Sequence, residues 1–454
     1  MSGIVEPWPL PSRWTWALFE DVAQIAQNLV APSQVLDMPH IAPNHIGTAS
    51  RELFPYSTVR NDAVISPKQR FFPGQILFTK IRPYLLKSVL VDFEGVCSAD
   101  MYPLSVRSTI HPALLLYWLT SPDFRDEIAL EQGRSVLPKI NQPALNRSRV
   151  PLPPFPEQRR IVAKIDSLTA KSRRARDHLD HIPRLVEKYK QAVLAAAFRG
   201  DLTRGWRTEH GRDLDTWKIV TLGEIAEIQS GVALGKKRRP NIQLVRRPYL
   251  RVANVQRGRL DLSEVKTIEV TETEAATLTL RLGDILMNEG GDRDKLGRGW
   301  VWEGQIDICI HQNHVFRVRL KDKSFPPELI SLYANEFGQE HFFDEGTQTT
   351  NLASISKRRL SLLPLVLPPA DEAVKMRGCI RRAFTWIDRL AAEATSARAL
   401  VDRLDQAVLA KAFRGELVLQ DPADEPASVL LERIRAERAA SPKPKRGRRP
   451  KAAR

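Results

Sequence analysis

Gln191-Ala-Val-Leu-Ala-Ala-Ala-Phe-Arg-Gly-Asp-Leu-Thr203 returns as Gln406-Ala-Val-Leu-Ala-Lys-Ala-Phe-Arg-Gly-Glu-Leu-Val418, identical at ten of thirteen positions and displaced by 215 residues. Upstream, Leu152-Pro153-Pro154 matches Leu367-Pro368-Pro369 at the same displacement, so the stretch between the two marks has one length in both copies. An ungapped repeat of this kind implies a rigid element used twice. Weaker echoes precede each copy. Trp14, Phe19, Val22, Ala23 and Ile25 align with Trp217, Leu222, Ile225, Ala226 and Ile228, and Pro73-Gly74-Gln75-Ile76-Leu77 aligns with Leu282-Gly283-Asp284-Ile285-Leu286. Between these anchors the copies hardly resemble each other, which gives the order variable region, repeated segment, variable region, repeated segment.

Each repeated segment reads as a long helix. Core-type positions alternate steps of four and three from Ile161 to Ala196 in the first copy, with Ile161, Ile165, Leu168, Leu179, Ile182 and Val186 among them, and from Met376 to Lys411 in the second, with Ile380, Ile387, Leu390, Val401, Leu404 and Val408 among them. The Pro-Pro pairs stop the preceding strand, and Glu157 and Glu372 suit a helix N-terminus. Arg199-Gly200 and Arg414-Gly415 suit its end. A helix of roughly 42 residues is about 63 Å long. Pro183 should kink the first copy, whereas the second has Arg398 at that place and should run straighter. Heptads alone are compatible with a homodimeric coiled coil. Two helices of equal length in one chain also allow antiparallel pairing within it, with one globular domain at each end.

The variable regions carry short apolar runs, such as Gln75 to Phe78, Tyr249 to Val255, Gly283 to Met287 and Val315 to Leu320, with helices expected at Pro112 to Thr120 and Pro327 to Phe337. The fold class read from this pattern is α+β: two globular domains separated by two long antiparallel coiled-coil helices, with an internal pseudo-twofold repeat. The expected divisions are 1–152, 153–203, 204–367, 368–420, and a basic, disordered tail over 421–454. The formal net charge of +16 favours a polyanionic partner, although 441–454 alone carry +7 of it. No apolar stretch approaches the roughly 20 residues of a membrane span, and the N-terminus lacks the pattern of a secretory signal, so the chain is expected in the cytoplasm. Cys97, Cys309 and Cys379 are scattered and read as reduced and structural.

The candidate catalytic motifs are incomplete. Gly231-Val-Ala-Leu-Gly235-Lys236-Lys237 is one residue short of a phosphate loop and has Lys237 where a hydroxyl belongs. In Leu152-Pro153-Pro154-Phe155 the first residue has no carbonyl to hold a base amine, as an amino-methyltransferase motif requires. His311 and His314 lack the spacing of a metal site and read as polar residues at a strand end, available to phosphate or base edges. Glu289-Gly-Gly-Asp-Arg-Asp294 reads as a loop. Recognition chemistry remains, because Arg and Lys suit guanine edges and phosphates while Asn and Gln suit adenine. The first variable region offers Lys68, Arg70, Lys80, Arg82, Arg134, Ser135, Lys139 and Asn141. The second offers Lys236, Lys237, Arg238, Arg239, Arg251, Asn254, Gln312, Asn313, Thr347, Gln348 and Asn351.

With Tyr249-Leu-Arg-Val-Ala-Asn-Val255, Leu296-Gly-Arg298 and His311-Gln-Asn-His-Val-Phe-Arg317 added to the repeat, the chain resembles the specificity subunits of type I restriction-modification systems over residues 12–420. That resemblance implies a non-catalytic subunit whose variable regions are target recognition domains, each reading one half of an asymmetric bipartite DNA sequence. It implies helices that act as ruler and docking surface. It also implies two modification subunits holding S-adenosylmethionine and restriction subunits using ATP and Mg, with no cofactor in this chain. The tail departs from the family: Lys445-Arg-Gly-Arg-Arg-Pro-Lys451 resembles a minor-groove hook with its core broken by an extra Arg, which leaves general phosphate attraction. A coiled-coil scaffold with nonspecific DNA affinity is the competing reading.

Overall fold

The computed structural model describes residues 7–129, 138–235, 242–291, 295–348 and 353–440. The chain divides into two compact units, Met1–Asp180 with Ser396–Arg454, and His181–Thr395. The boundaries therefore fall inside the repeated helices and not at the Pro-Pro junctions, because each half-helix packs on the unit that adjoins it.

In unit 1 the strand Thr15–Leu18 pairs antiparallel with Arg149–Leu152, Thr15 opposite Leu152. A four-stranded sheet follows the order Ala23–Ile25, Met101–Val106, Ile76–Thr79, Ser88–Leu90. A five-stranded sheet runs Leu29–Val30, Lys68–Phe71, Gly95–Cys97, Pro39–Ile41, Ser57–Thr58. All four residues of Ile76–Thr79 are buried, as befits a strand covered on both faces. The helix Pro112–Leu119 supplies Leu114, Leu115 and Trp118 to a core shared with Ile161, Ile165, Val408 and Phe413 of the long helices.

Unit 2 repeats this plan. Lys218–Thr221 pairs with Pro364–Leu367, Lys218 opposite Leu367. Its four-stranded sheet runs Ala226–Ser230, Val315–Leu320, Ile285–Asn288, Gly299–Val301. Leu104 lies between Ile25 and Ile76 in unit 1 as Val318 lies between Ile228 and Ile285 in unit 2. The helix Pro327–Phe337 supplies Leu329 to a cluster with Leu194, Ala197, Met376 and Ile380.

The first repeated helix runs Phe155–Asp180, breaks at His181 and resumes as Ile182–Phe198 with Pro183 in its first turn, whereas the second runs Ala370–Phe413 without interruption. Within each unit the halves pair antiparallel. In unit 1 Arg176 bonds Asp402 at 2.9 Å and Asp405, and Asp180 bonds Arg398 at 3.1 Å. In unit 2 Lys190 bonds Asp388 at 2.6 Å. Of the expected seam, Ile161, Ile165, Ile380, Ile387 and Val408 are buried, and Leu168, Leu179, Ile182, Val186 and Val401 are half-buried. Leu390 and Leu404 are corrections: they are 41% and 56% exposed, and the neighbouring Ala391 and Asp405 are the more covered positions. A strict seven-residue repeat drifts around an α-helix, so one seam does not keep every nominal position.

Each Pro-Pro junction is followed by a buried glutamate that accepts a tryptophan N–H: Trp14 Nε1 to Glu157 and Trp217 Nε1 to Glu372, both 3.0 Å. Only Glu372 has further partners, Arg207 Nη1 at 2.5 Å and Thr203 Oγ1 at 2.6 Å. Gly200, at φ +81°, closes the helix, and a Cβ there would meet the Arg207 guanidinium at 2.9 Å.

The expected disordered tail from 421 is corrected for its first part. Ala427–Ala440 is a helix that buries Leu430, Leu431 and Ile434 in the unit 1 core. Arg160 bonds Asp424 at 2.7 Å, Arg435 bonds Asp21 at 3.0 Å, and Arg438 bonds Glu20 at 2.6 Å. The Leu430, Leu431, Ile434 spacing is an apolar helix stripe that the nearby run of cations overshadows. Ile434→Val is expected to cost unit 1 about 1 kcal/mol, read as a lowered denaturant midpoint with an unchanged slope. Residues 441–454 lie outside the described residues.

Candidate nucleic-acid interface

In unit 1 three of the candidate cations meet at one strand edge. Ile81 bridges Lys139, Ile140 N donates to Lys80 O at 2.9 Å, and Arg82 N donates to Pro138 O at 2.8 Å. Lys80 lies over the Tyr102 ring, 5.2 Å from its centre, and Lys139 Nζ is 3.3 Å from Asp100. Arg82 is exposed and held at φ +45°, a left-handed conformation that a long side chain rarely adopts and that turns it out of the strand. Arg134 and Ser135 lie outside the described residues.

The corresponding edge of unit 2 has the same backbone frame and different side chains. Ile355 N donates to Glu289 O at 2.8 Å, and Gly290 and Gly291 pair with Ser354 and Ala353, which pair in turn with Thr347 and Gln348. Glu289 N donates to His314 O, and His314 Nδ1 lies 2.9 Å from Glu289 Oε2. Gln312 and Asn313 sit in the same turn, and Asn313 N donates to Val232 O at 2.9 Å. Gly231 is required there, because a Cβ would stand 1.9 Å from His311 O. Lys236, Lys237, Arg238, Arg239 and Asn351 lie outside the described residues.

Other candidates serve the fold. Lys68 is buried, its ammonium donating to Ser66 Oγ at 2.6 Å. Arg70 bonds Glu94 and covers Phe72. Asn141 caps the helix Gln142–Arg147 by accepting from Ala144 N. Asn254 is buried: its Oδ1 accepts from Arg251 N at 2.9 Å and its Nδ2 donates to Asp261 O and Glu264 O. Arg251 pairs with Glu264 at 3.4 Å. His311 is buried, with Nδ1 2.6 Å from Val315 O, and burial pushes its pKa down to about 4, so it is a neutral core residue closed to DNA. Burial raises the Cys97 and Cys309 thiols to about 12. His314 lies at the second edge as its reading implied, whereas Asp100 and Tyr102 at the first edge and Glu289 at the second were not singled out as contacts in the sequence, since only cross-strand register brings them in. Among the described residues there is no cluster of metal-ligating side chains, and no helix is long and apolar enough to cross a membrane.

Two α+β units of one plan, each presenting a polar strand edge with its own side chains, define a tandem recognition protein. No family model matches the chain. The specificity subunit of the type I restriction enzyme EcoDI from Escherichia coli is 40% identical over 201 residues, 44% of this chain and 45% of that protein. The EcoKI specificity subunit from Escherichia coli K12 is 27% identical over 77% of this chain and 76% of its own length, and the StySPI subunit from Salmonella potsdam is 28% identical over the same shares. The match to the EcoDI subunit thus spans about half of that protein. A solved structure of a type I restriction-modification system has a TM-score of 0.68 at 21% identity, covering 90% of this chain and all of that one. The HsdS subunit from Thermoanaerobacter tengcongensis gives 0.56 at 21% identity, covering 90% and 99%. The chain is thus similar to specificity subunits of type I restriction-modification systems, and shares their fold.

Proposed function

We propose that this chain directs a type I restriction-modification complex to an asymmetric bipartite DNA sequence, each unit reading one half-site, and that it does no chemistry itself. The observation that carries the reading is one backbone edge built twice with different chemistry. Lys80, Arg82 and Lys139 line the first, and Gln312, Asn313, His314 and Glu289 the second. Cations suit guanine edges and phosphates, amides suit adenine, and a carboxylate suits the cytosine amine. The matched lengths of the repeated helices favour their setting the unread spacer.

In this reading S-adenosylmethionine, ATP and Mg belong to two modification subunits and to restriction subunits. Tyr189 and Trp386 on the unit 2 helices, 62% and 63% exposed, are suited to anchor the modification subunits, because large exposed aromatics mark association surfaces.

Arg82→Ala is expected to cost about 1–3 kcal/mol of target binding and to relax only the first half-site, and Asn313→Ala only the second. Binding of the assembled complex to a panel of single-base target variants checks this. A uniform loss across all sequences with no change in preference would favour the scaffold reading.

A further inference from the structure

Unit 1 holds a cleft of about 360 Å³ between the 48–52 loop and the paired helices, with Thr48, Arg51, Thr169, Arg173, Arg176 and Arg398 in its walls. Two of these arginines are neutralised. Arg176 is bound to Asp402 and Asp405, and Arg398 to Asp402 at 2.6 Å and Asp180 at 3.1 Å. Arg51 is not. Its Nη1 donates to Thr120 Oγ1 at 3.3 Å, and its guanidinium lies 5.0 Å from the centre of the Tyr117 ring. The Tyr117 hydroxyl is itself donated to Asp166. Among the described residues no carboxylate forms an ion pair with Arg51 or with Arg173; burial disfavours the Arg51 charge, Asp405 favours it from a distance, and Arg176 and Arg173 act against it.

The loop that carries Arg51 is strained. Ala49 and Arg51 stand at φ +51° and +62°, where residues with a side chain are uncommon and which recur at ligand-holding sites. The result is a half-buried guanidinium that shares one cleft with a second cation, Arg173, and with Thr48 and Thr169. That arrangement costs free energy unless an anion enters. A phosphodiester fits the donors: it offers two charged oxygens to the planar guanidinium forks and takes further bonds from hydroxyls. Asp402, Asp405 and Glu52 also line the cleft; the first two are held by Arg176 and Arg398, which leaves Arg51 and Arg173 as the donors open to a phosphate.

We propose that the cleft seats a backbone phosphate of the bound DNA between Arg51 and Arg173. The proposal rests on the DNA-binding reading above and adds a contact that positions the duplex without reading bases. In unit 2 Asp388 stands at the repeat position of Arg173, so the contact is confined to the first half of the chain.

The test uses the full chain assembled with its modification partner, with affinity measured against salt on the target and on an unrelated duplex. Arg173→Gln lies on an exposed helix face, and Arg51→Asn keeps a residue that tolerates the left-handed backbone. Each variant should lower affinity about equally on both duplexes, and the pair should flatten the slope of log K against log salt by about 1. An unchanged slope in both variants overturns the proposal. It is overturned equally if the variants lose only assembly with the partner, or only saturable binding of inorganic phosphate, while the DNA slope stays the same. A wild-type complex that binds no duplex fails the underlying reading instead, and the unmodified arm shows that separately.

Discussion

Glu372→Gln is expected to destabilise unit 2 by about 3–5 kcal/mol, while Glu157→Gln, at the matching place in the repeat, should change unit 1 by no more than about 1 kcal/mol. The substitutions are chemically identical and the environments are not. Glu372 is fully buried against the Arg207 guanidinium, the Thr203 hydroxyl and the Trp217 indole, so its neutral replacement leaves a buried cation uncompensated. Glu157 has only the Trp14 indole on one oxygen, and its other oxygen has no partner. Burial raises the Glu157 pKa and outweighs the Trp14 bond that lowers it. A carboxyl whose folded value lies above its unfolded one contributes fully below the unfolded value, about 4.3, and loses that contribution as pH rises through the folded value. Glu157→Gln should therefore remove a loss of unit 1 stability on the neutral side of that window. Denaturant unfolding from pH 4 to 8, followed by a probe in each unit, separates the two outcomes. Equal losses at both positions would mean that the shared tryptophan bond, and not the ion pair, governs the junction.

The second large effect concerns specificity. Exchanging residues 12–150 for the corresponding segment of another specificity subunit should replace one half-site and leave the other intact, so that the original target loses affinity through several mismatched pairs at about 1–3 kcal/mol each. The strand Thr15–Leu18 lies within the exchanged segment and its partner Arg149–Leu152 spans the downstream junction, and their register matches that of unit 2, so the graft joins at a framework that both halves share. Binding to duplexes carrying each half-site separately changed checks the result. Altered preference in both halves would contradict independent reading by the two units.

Much of this architecture is legible in the sequence because it is written twice. The 215-residue displacement locates both long helices, Pro183 locates the break at His181, and the expected helix Pro327 to Phe337 has those bounds in the structure. The stretch Tyr249 to Val255 shows where local reading stops. The strand there is Leu244–Leu250, and it gives way to a tight turn at Val252–Asn254 because the Asn254 carboxamide caps Arg251 N. The same bond takes Asn254 out of the interface. Lys68 is removed in a comparable way by Ser66. Residue type offered both as DNA ligands, whereas their partners and burial decide otherwise. The gathering of Lys80, Arg82 and Lys139, from stretches about sixty residues apart, depends on a single bridge between Ile81 and Lys139 that no spacing reveals.

The most direct measurement maps modified bases across the genome of cells that carry the modification partner with and without this chain. The account predicts modification confined to one asymmetric sequence of two half-sites at a fixed separation, present only with the chain, with Arg82→Ala loosening one half and Asn313→Ala the other. Modification that persists without the chain, or that follows no bipartite sequence in its presence, would contradict it.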